Sequence, residues 1–175
     1  MSMPKPQQAP QAALVKHPAP PQANPHTRPP ADSHQVALHQ RIESSFVRQG
    51  LMRHLGARIV SVTPGEVEVA LPYSERVTQQ QGGYHGGAMG ALADIAAGYA
   101  GLTRVPEGME VTTVEYKINF LAAFKDGELR ARGHVVRAGK RLIITTAEVV
   151  HLDTDGSESP CALMLQTLAV VKQTY

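Results

Sequence analysis

A long apolar run in the middle of the sequence limits the folds that are open to this chain. Residues 86–100 read GGAMGALADIAAGYA, and Asp94 is the one ionisable carboxylate among them. The run is too long for a strand, and its alanine content favours a helix. Because this helix is apolar nearly all round, it must be buried on most of its sides. The rest of the chain therefore has to enclose it.

Segments with two-residue periodicity lie on both sides of this predicted helix. Before it, the turn Thr63-Pro64-Gly65 precedes an alternating run over residues 66–71, which predicts a hairpin of two strands. After it, turn sequences separate four strand-like runs. The first run covers about residues 111–121, the second ends near residue 137, and the last two cover residues 140–152 and 160–172. The short connections predict that successive strands are antiparallel neighbours.

The first of the four later runs alternates well enough to assign its faces. One face is predicted to carry the apolar residues Val114, Tyr116, Ile118 and Phe120. The other face is predicted to carry the polar residues Thr113, Glu115, Lys117 and Asn119.

Together these elements predict an α+β fold, in which an antiparallel sheet of about six strands packs against one long helix. A shorter helix is expected to begin near Ser33 or His34, because apolar residues recur at helical spacing at Val36, Leu38, Ile42 and Phe46. One sheet face offers too little cover for a helix that is apolar all round. A second subunit is the natural source of that cover, so we expect a homodimer.

Composition separates a tail from this domain. Nine of the 13 prolines lie in residues 1–30, and no periodic apolar face appears before residue 35. Residues 1–34 are therefore predicted to be a disordered, proline-rich tail, and residues 35–175 the folded domain. The net charge of +2 belongs to the tail, which leaves the domain neutral. A strongly basic nucleic-acid-binding protein is thereby excluded.

Other chemistries have no clear pattern in the sequence. Cys161 is the only cysteine, and its apolar strand predicts a buried, inert thiol rather than a nucleophile. The histidines lack metal-ligand spacing, so no metal site is expected. No apolar stretch reaches the ~18 residues of a membrane helix, and no secretory signal is recognisable. We therefore expect a cytoplasmic protein without membrane contact.

A motif around the start of the long helix resembles a known family. Residues 79–87 read QQQGGYHGG, and Leu92-Ala93-Asp94 follows. This pattern resembles the signature of the hotdog-fold acyl-CoA thioesterases, most closely the phenylacetic acid degradation type. The stretches 113–121 and 138–142 support the resemblance, which covers roughly residues 46–172.

The resemblance implies a hotdog fold, in which the sheet wraps around the central helix. It also implies hydrolysis of an acyl-CoA or aryl-acyl-CoA to a free carboxylate and coenzyme A. In this family the site lies at a homodimer interface, and two dimers can stack into a tetramer. Coenzyme A would be part of the substrate, and no cofactor is expected.

The spacing within the motif agrees with a site that is shared between two subunits. The first N–H groups of a helix have no intrahelical acceptor and favour negative charge, so Gly87, and second Gly86, are candidate oxyanion donors. Asp94 follows Gly87 by close to two turns, which puts both on one side of the helix but about 10.5 Å apart. One thioester carbon cannot reach both within one helix. Two antiparallel helices across a two-fold axis would bring Asp94 of one subunit to Gly87 of the other.

The resemblance further implies roles for neighbouring residues. His85 would orient the substrate carbonyl, Gln79 would lie near the water or the carbonyl, and Thr113 would hold water beside Asp94. Some relatives place a threonine one turn after the carboxylate, where this chain has Gly98. That difference favours Asp94 as a general base, although direct attack by its carboxylate stays open. Gly86 and Tyr84, near the motif, are candidate substrate contacts. The candidate contacts for the phosphates of coenzyme A are the basic turn residues Arg137, Lys140 and Arg141.

Two alternative functions are compatible with the same fold. Hotdog hydratases and dehydratases act on acyl thioesters with a histidine paired with an acid. A non-catalytic acyl-CoA-binding module would keep the fold without turnover. Simple structural roles are also open for the motif residues, with Asp94 a satisfied buried carboxylate and His85 a residue that merely begins the helix.

Overall fold

The computed structural model describes residues 33–174, so the predicted tail up to residue 32 lies outside the described residues. The helices are α1 (Ser33–Phe46), α2 (Gly50–Leu55) and α3 (Gly86–Leu102), with one 3-10 turn at Glu75–Val77. The strands are β1 (Arg58–Thr63), β2 (Glu66–Pro72), β3 (Met109–Phe120), β4 (Glu128–Ala138), β5 (Leu142–Leu152) and β6 (Glu158–Lys172). Within residues 33–174, no helix is long and apolar enough to span a membrane. The predicted α+β class and the number of strands are confirmed.

The six strands form one antiparallel sheet in the order β1-β2-β4-β5-β6-β3. The predicted β1–β2 hairpin is confirmed, but the prediction that β3 and β4 are neighbours is wrong. Both edges of β4 are occupied by β2 and β5, and β3 pairs with β6 at the sheet edge. Residues 121–127 therefore form a crossing connection, in which the Phe124 carbonyl accepts a hydrogen bond from the Tyr84 N–H beside the start of α3.

The sheet wraps around α3, which contacts β2, β3, β4, β5 and β6. Most residues of α3 are buried by these contacts. Apart from Gly86 at the N-terminal end, the less buried ones form a single stripe at helical spacing, namely Gly87, Ala91, Asp94, Ile95 and Gly98. One protomer therefore covers its central helix except along this stripe. The expectation that one sheet offers too little cover for most of this helix is wrong, because the sheet curves around it; the homodimer itself stays a prediction.

The close approach of α3 to the sheet depends on a glycine in β4. A Cβ atom on Gly133 would overlap the backbone of Ala96 and Ala97. Backbone atoms cannot move aside as a flexible side chain can, so only glycine fits at this crossing. α1 closes another part of the core, since Leu38, Ile42 and Phe46 are buried and the helix contacts β1.

A β-bulge at Val114 changes which residues of β3 face α3. Thr113 pairs with Leu168 of β6, Glu115 pairs with Thr167, and Val114 is the extra residue between them. Beyond the bulge Tyr116, Ile118 and Phe120 face the helix, as predicted. Before it, Thr113 shares that same side, which the predicted alternation had assigned to Val114. The assignment of Thr113 to the face opposite Tyr116 is therefore wrong, and the extra residue is the reason.

Gly133→Ala should destabilise the domain by about 1–3 kcal/mol, because the added methyl group meets helix backbone that is itself packed. Chemical denaturation of the purified protein measures this loss. Gly50→Ala is the matched control, since a Cβ at Gly50 has no neighbour within 4 Å. Equal stability of the two variants would contradict the proposed close approach.

Candidate active site

The half-buried Asp94 projects from the less buried stripe of α3 into a hydrogen-bonded group of side chains from three strands. Its Oδ1 accepts a hydrogen bond of 2.8 Å from the Thr113 hydroxyl on β3 and a second hydrogen bond from the Gln166 amide on β6. The same amide nitrogen donates to Thr113 Oγ1 at 3.1 Å. Gln166 Oε1 in turn accepts from the Thr145 hydroxyl on β5 at 3.0 Å. The predicted proximity of Asp94 and Thr113 is thus present within one protomer.

A cavity of about 150 Å³ opens beside Asp94 and Thr113. Ile95, Gly98 and Leu102 of α3 contribute to its wall. Its far side is polar, because Tyr99 accepts a 2.8 Å hydrogen bond from the Gln49 amide and donates one of 3.1 Å to the Ser45 hydroxyl. The carboxylate therefore borders a cavity whose walls are partly apolar and partly polar.

The N-terminus of α3 is capped by the side chain of His85. The Gly87 N–H donates to His85 Nδ1 at 2.8 Å, so the neutral ring carries its own proton at Nε2. His85 is therefore the N-cap residue, and the first-choice oxyanion donor, Gly87, is engaged with it. The Gly86 N–H has no hydrogen-bond acceptor among residues 33–174, and the Phe120 ring lies against Gly86.

The other predicted motif residues lie in two different environments. The half-buried Gln79 bonds to Gln81 within its loop, through both its amide oxygen and its amide nitrogen. Tyr84 is a core residue, 2 % exposed, and its hydroxyl donates to the carbonyls of Leu71 and Gly127. Burial raises the pKa of Tyr84 well above its usual value. This position is that of a packing residue rather than a substrate contact.

The basic turn between β4 and β5 forms a separate cleft of about 540 Å³. Arg137 and Arg141 line it together with Leu142 and Ile144, whereas Lys140 does not. Leu142 and Ile144 alternate with the helix-facing Ile143, so the cleft opens on the sheet face that points away from α3. Within one protomer, the structure therefore does not bring the predicted phosphate contacts to the same face as Asp94.

Comparison with known proteins gives the family. The sequence profile of the thioesterase superfamily matches residues 81–157, which include Asp94 and Thr113. A thioesterase family protein from Silicibacter pomeroyi has a solved structure that is 38 % identical to this chain. The similarity covers 78 % of this chain and 99 % of that one, with a TM-score of 0.73. The chain belongs to the thioesterase superfamily.

Two further relatives of this thioesterase agree with that assignment. The 1,4-dihydroxy-2-naphthoyl-CoA hydrolase of Listeria monocytogenes is 30 % identical over 71 % of this chain and 98 % of its own length. The PaaI protein from the phenylacetic acid degradation operon of E. coli has the same fold, with a TM-score of 0.71. It is 22 % identical over 81 % of this chain and 99 % of its own. The predicted hotdog fold and thioesterase family are confirmed.

Gln166 and Thr145 are the residues of this thioesterase's site that the sequence did not reveal. Both are fully buried, and in both strands the neighbours on the same face are apolar. A polar residue on the buried face of a predicted strand was the available signal, since a buried amide requires hydrogen-bond partners. Among residues 33–174, no group of three or more His, Cys, Asp or Glu side chains is arranged to hold a metal ion.

The single thiol of the thioesterase should not react in the native state. Cys161 is buried in β6, and burial raises its pKa to about 11, so about one thiol in a thousand is ionised at pH 8. An aromatic disulfide reagent should therefore label none of it in the folded protein at pH 8 and one thiol per chain in denaturant. Rapid labelling of the folded protein would contradict the buried environment of Cys161.

Proposed function

We propose that this thioesterase hydrolyses an acyl-CoA with Asp94 as its acting carboxylate, at a site completed by a second copy of the chain. The observation that carries the proposal is the position of Asp94. It lies on the less buried stripe of the central helix, is held by Thr113, and borders a cavity. A carboxylate in this setting can activate water or attack a carbonyl carbon.

Two chemical routes fit this arrangement. In the first, Asp94 removes a proton from water as the water oxygen attacks the thioester carbon. The tetrahedral intermediate then expels the coenzyme A sulfur, which takes the proton back from Asp94, and the acid product remains. In the second, the Asp94 carboxylate attacks the carbon itself and releases the thiolate, and water then cleaves the resulting anhydride. Both routes put negative charge on the carbonyl oxygen, which needs hydrogen-bond donors.

The start of α3 supplies these donors in the proposed site. His85 holds the Gly87 N–H with Nδ1, and its own Nε2–H is available to a substrate carbonyl. Gly86 offers a second N–H at the same helix end. His85 therefore acts as the orienting donor that the family resemblance implies. Direct use of the Gly87 N–H requires the His85 ring to turn away.

The edge strand β3 supports a second subunit as the missing part. β3 pairs with β6 along one side only, and its 12 residues are largely exposed. Exposed apolar residues are concentrated on it and just after it: Val114, Tyr116, Phe120 and Leu121. A long edge strand of this kind pairs readily with another chain. Symmetric pairing of two β3 strands would continue the sheet and bring together Asp94 of one copy and the α3 N-terminus of the other. Stacking of two such dimers into a tetramer remains part of the proposal.

The volume of the cavity suggests the size of the acyl group. A cavity of about 150 Å³ accommodates a single benzene ring. We therefore expect short acyl groups or single-ring aryl-acyl groups to be better substrates than long chains. Arg137 and Arg141 stay candidate contacts for the coenzyme A phosphates, as does Lys140 of the same turn.

The hydratase alternative has less support than hydrolysis. It requires a histidine paired with an acid for proton transfer at carbon. Among residues 33–174, no carboxylate lies within ion-pair distance of His85, whose Nδ1 is engaged by Gly87. The non-catalytic binding module is left as an outcome of the activity test.

Asp94→Asn should lower thiol release at least about a hundredfold, equivalent to about 2.7 kcal/mol of transition-state stabilisation, because the amide can neither accept the proton nor attack. The measurement is release of coenzyme A from a panel of short, aryl and long acyl-CoA esters. Asp155→Asn, in the exposed turn after β5, is the control. Full activity of Asp94→Asn would reject Asp94 as the acting residue. Binding without turnover by the wild type would favour the binding module.

Val114→Glu should convert the proposed dimer into a monomer, because each copy would carry an added carboxylate on the edge strand that has to pair with the same strand of the other copy. Light scattering coupled to gel filtration measures the mass. Val136→Glu on β4 is matched, since both valines are 58 % exposed. A monomeric wild-type protein, or a Val114→Glu variant that stays dimeric, would contradict pairing through β3.

A further inference from the structure

The fully buried Gln166 has no role in the chemistry described so far. Burying an amide costs free energy unless its carbonyl oxygen and its two N–H groups find partners. All of them do: Oε1 accepts from Thr145, and Nε2 donates to Asp94 and to Thr113. Every partner belongs to, or supports, the group around Asp94. Gln166 is therefore built into the site rather than merely filling the core.

The amide of Gln166 also has a defined orientation. If it were turned over, Oε1 would lie against Asp94 Oδ1, and two acceptor oxygens would be in contact. Thr145 stabilises the observed orientation from behind by donating to Oε1. Thr145 is itself fully buried, so water does not compete for this hydrogen bond.

These contacts distinguish the two oxygens of the Asp94 carboxylate. Oδ1 receives one hydrogen bond from Thr113 and one from Gln166. Among residues 33–174, no donor is bonded to Oδ2. Two donors from two strands fix both the position and the rotation of the carboxylate, and they leave one oxygen for other contacts.

We propose that Gln166, supported by Thr145, is a positioning residue that holds Asp94 Oδ1 so that Oδ2 faces the reacting atoms. This inference rests on the proposed function of Asp94. Oδ2 is then the atom that removes the proton from water or attacks the thioester carbon. In the first route Oδ2 accepts the proton, and in the second route the new bond forms at Oδ2. Oδ1 stays hydrogen-bonded in both routes.

The same contacts give Thr113 a narrower role than the family resemblance implies. Its hydroxyl oxygen accepts from Gln166, so its proton points to Asp94 Oδ1. Thr113 therefore holds the carboxylate and has no further proton to donate to a water molecule. Orientation of the attacking water is left to Asp94 Oδ2 and to groups across the site.

The surroundings of Gln166 argue against a simple packing role. Its neighbours on the same face of β6 are Met164 and Leu168, and those of Thr145 on β5 are Ile143 and Ala147, all of them buried and apolar. Between Ile143 and Ala147 on β5, and between Met164 and Leu168 on β6, the polar interruption lies where α3 presents Asp94. Apolar residues at these two positions would continue the core without the need for any hydrogen bond.

Substitutions at Thr145 separate positioning from packing. Thr145→Val keeps the shape but removes the hydroxyl, and it should lower kcat about tenfold with KM changed less than about twofold, because the Gln166 amide loses its support. Thr145→Ser keeps the hydroxyl and loses a methyl group, so it should lose stability but keep kcat close to wild type. A packing role predicts the opposite order, with the serine variant the less active.

Substitution of Gln166 gives the direct test. Gln166→Met has similar length and no donors, and it should lower kcat about ten- to a hundredfold with little change in KM. Met164→Leu is the matched control on the same strand and face. Thermal unfolding of each variant shows whether it folds. If Gln166→Met does not fold, the Thr145 pair decides the matter.

The outcomes separate this inference from the function on which it rests. An active wild type, an inactive Asp94→Asn and a kcat loss in Gln166→Met and Thr145→Val support both. A second pattern would overturn the positioning role alone. In this pattern the wild type is active and Asp94→Asn is inactive, but kcat is unchanged in folded Gln166→Met or in Thr145→Val. A wild type without thioesterase activity overturns the proposed function and the inference together.

Discussion

The contact between the central helix α3 and the strand β4 determines how the sheet covers the helix and which of its residues stay accessible. Gly133 lets the backbone of α3 approach the sheet closely, and the alanines of the helix fill the remaining space without long side chains. A helix held so near the sheet is covered on nearly every side. The less buried stripe that is left carries Gly87 and Asp94. These two groups are therefore accessible because the other faces of the helix are packed so tightly.

The site itself depends on cooperation between that helix and three neighbouring strands. α3 supplies the carboxylate, β3 a hydroxyl, β6 an amide and β5 a second hydroxyl. Burying any one of these polar groups alone would cost free energy, because it would lose its hydrogen bonds to water. The hydrogen bond to the next group in the series offsets that cost. The start of the same helix is arranged in a similar way, since His85 occupies a backbone donor that has no helical acceptor. Stability and chemistry thus use the same hydrogen bonds.

The sequence predicted the local features well and the long-range ones less well. The apolar run at α3, the alternation of the strands and the pairing of Asp94 with Thr113 could be read because they follow from short-range periodicity or from a recognisable motif. The edge position of β3 could not, because a short connection does not say whether the neighbouring strand position is already taken. Nor could Gln166, whose partner is 72 residues away in the chain. Tyr84 lies next to the motif in sequence but is oriented into the core, since adjacent residues of an extended segment point in opposite directions.

The bulge in β3 determines which residue of this strand stands beside Asp94. Regular alternation over the same residues would carry Thr113 to the opposite face of the sheet, with every residue before it reversed as well. Deletion of Val114 would remove the bulge and restore regular alternation with Thr113 still on the same side as Tyr116, so Asp94 would keep its hydroxyl partner. A related protein can therefore place the same hydroxyl beside the carboxylate with one residue fewer in β3. Alignment of such proteins should accordingly be anchored on α3 and β6 rather than on the spacing within β3.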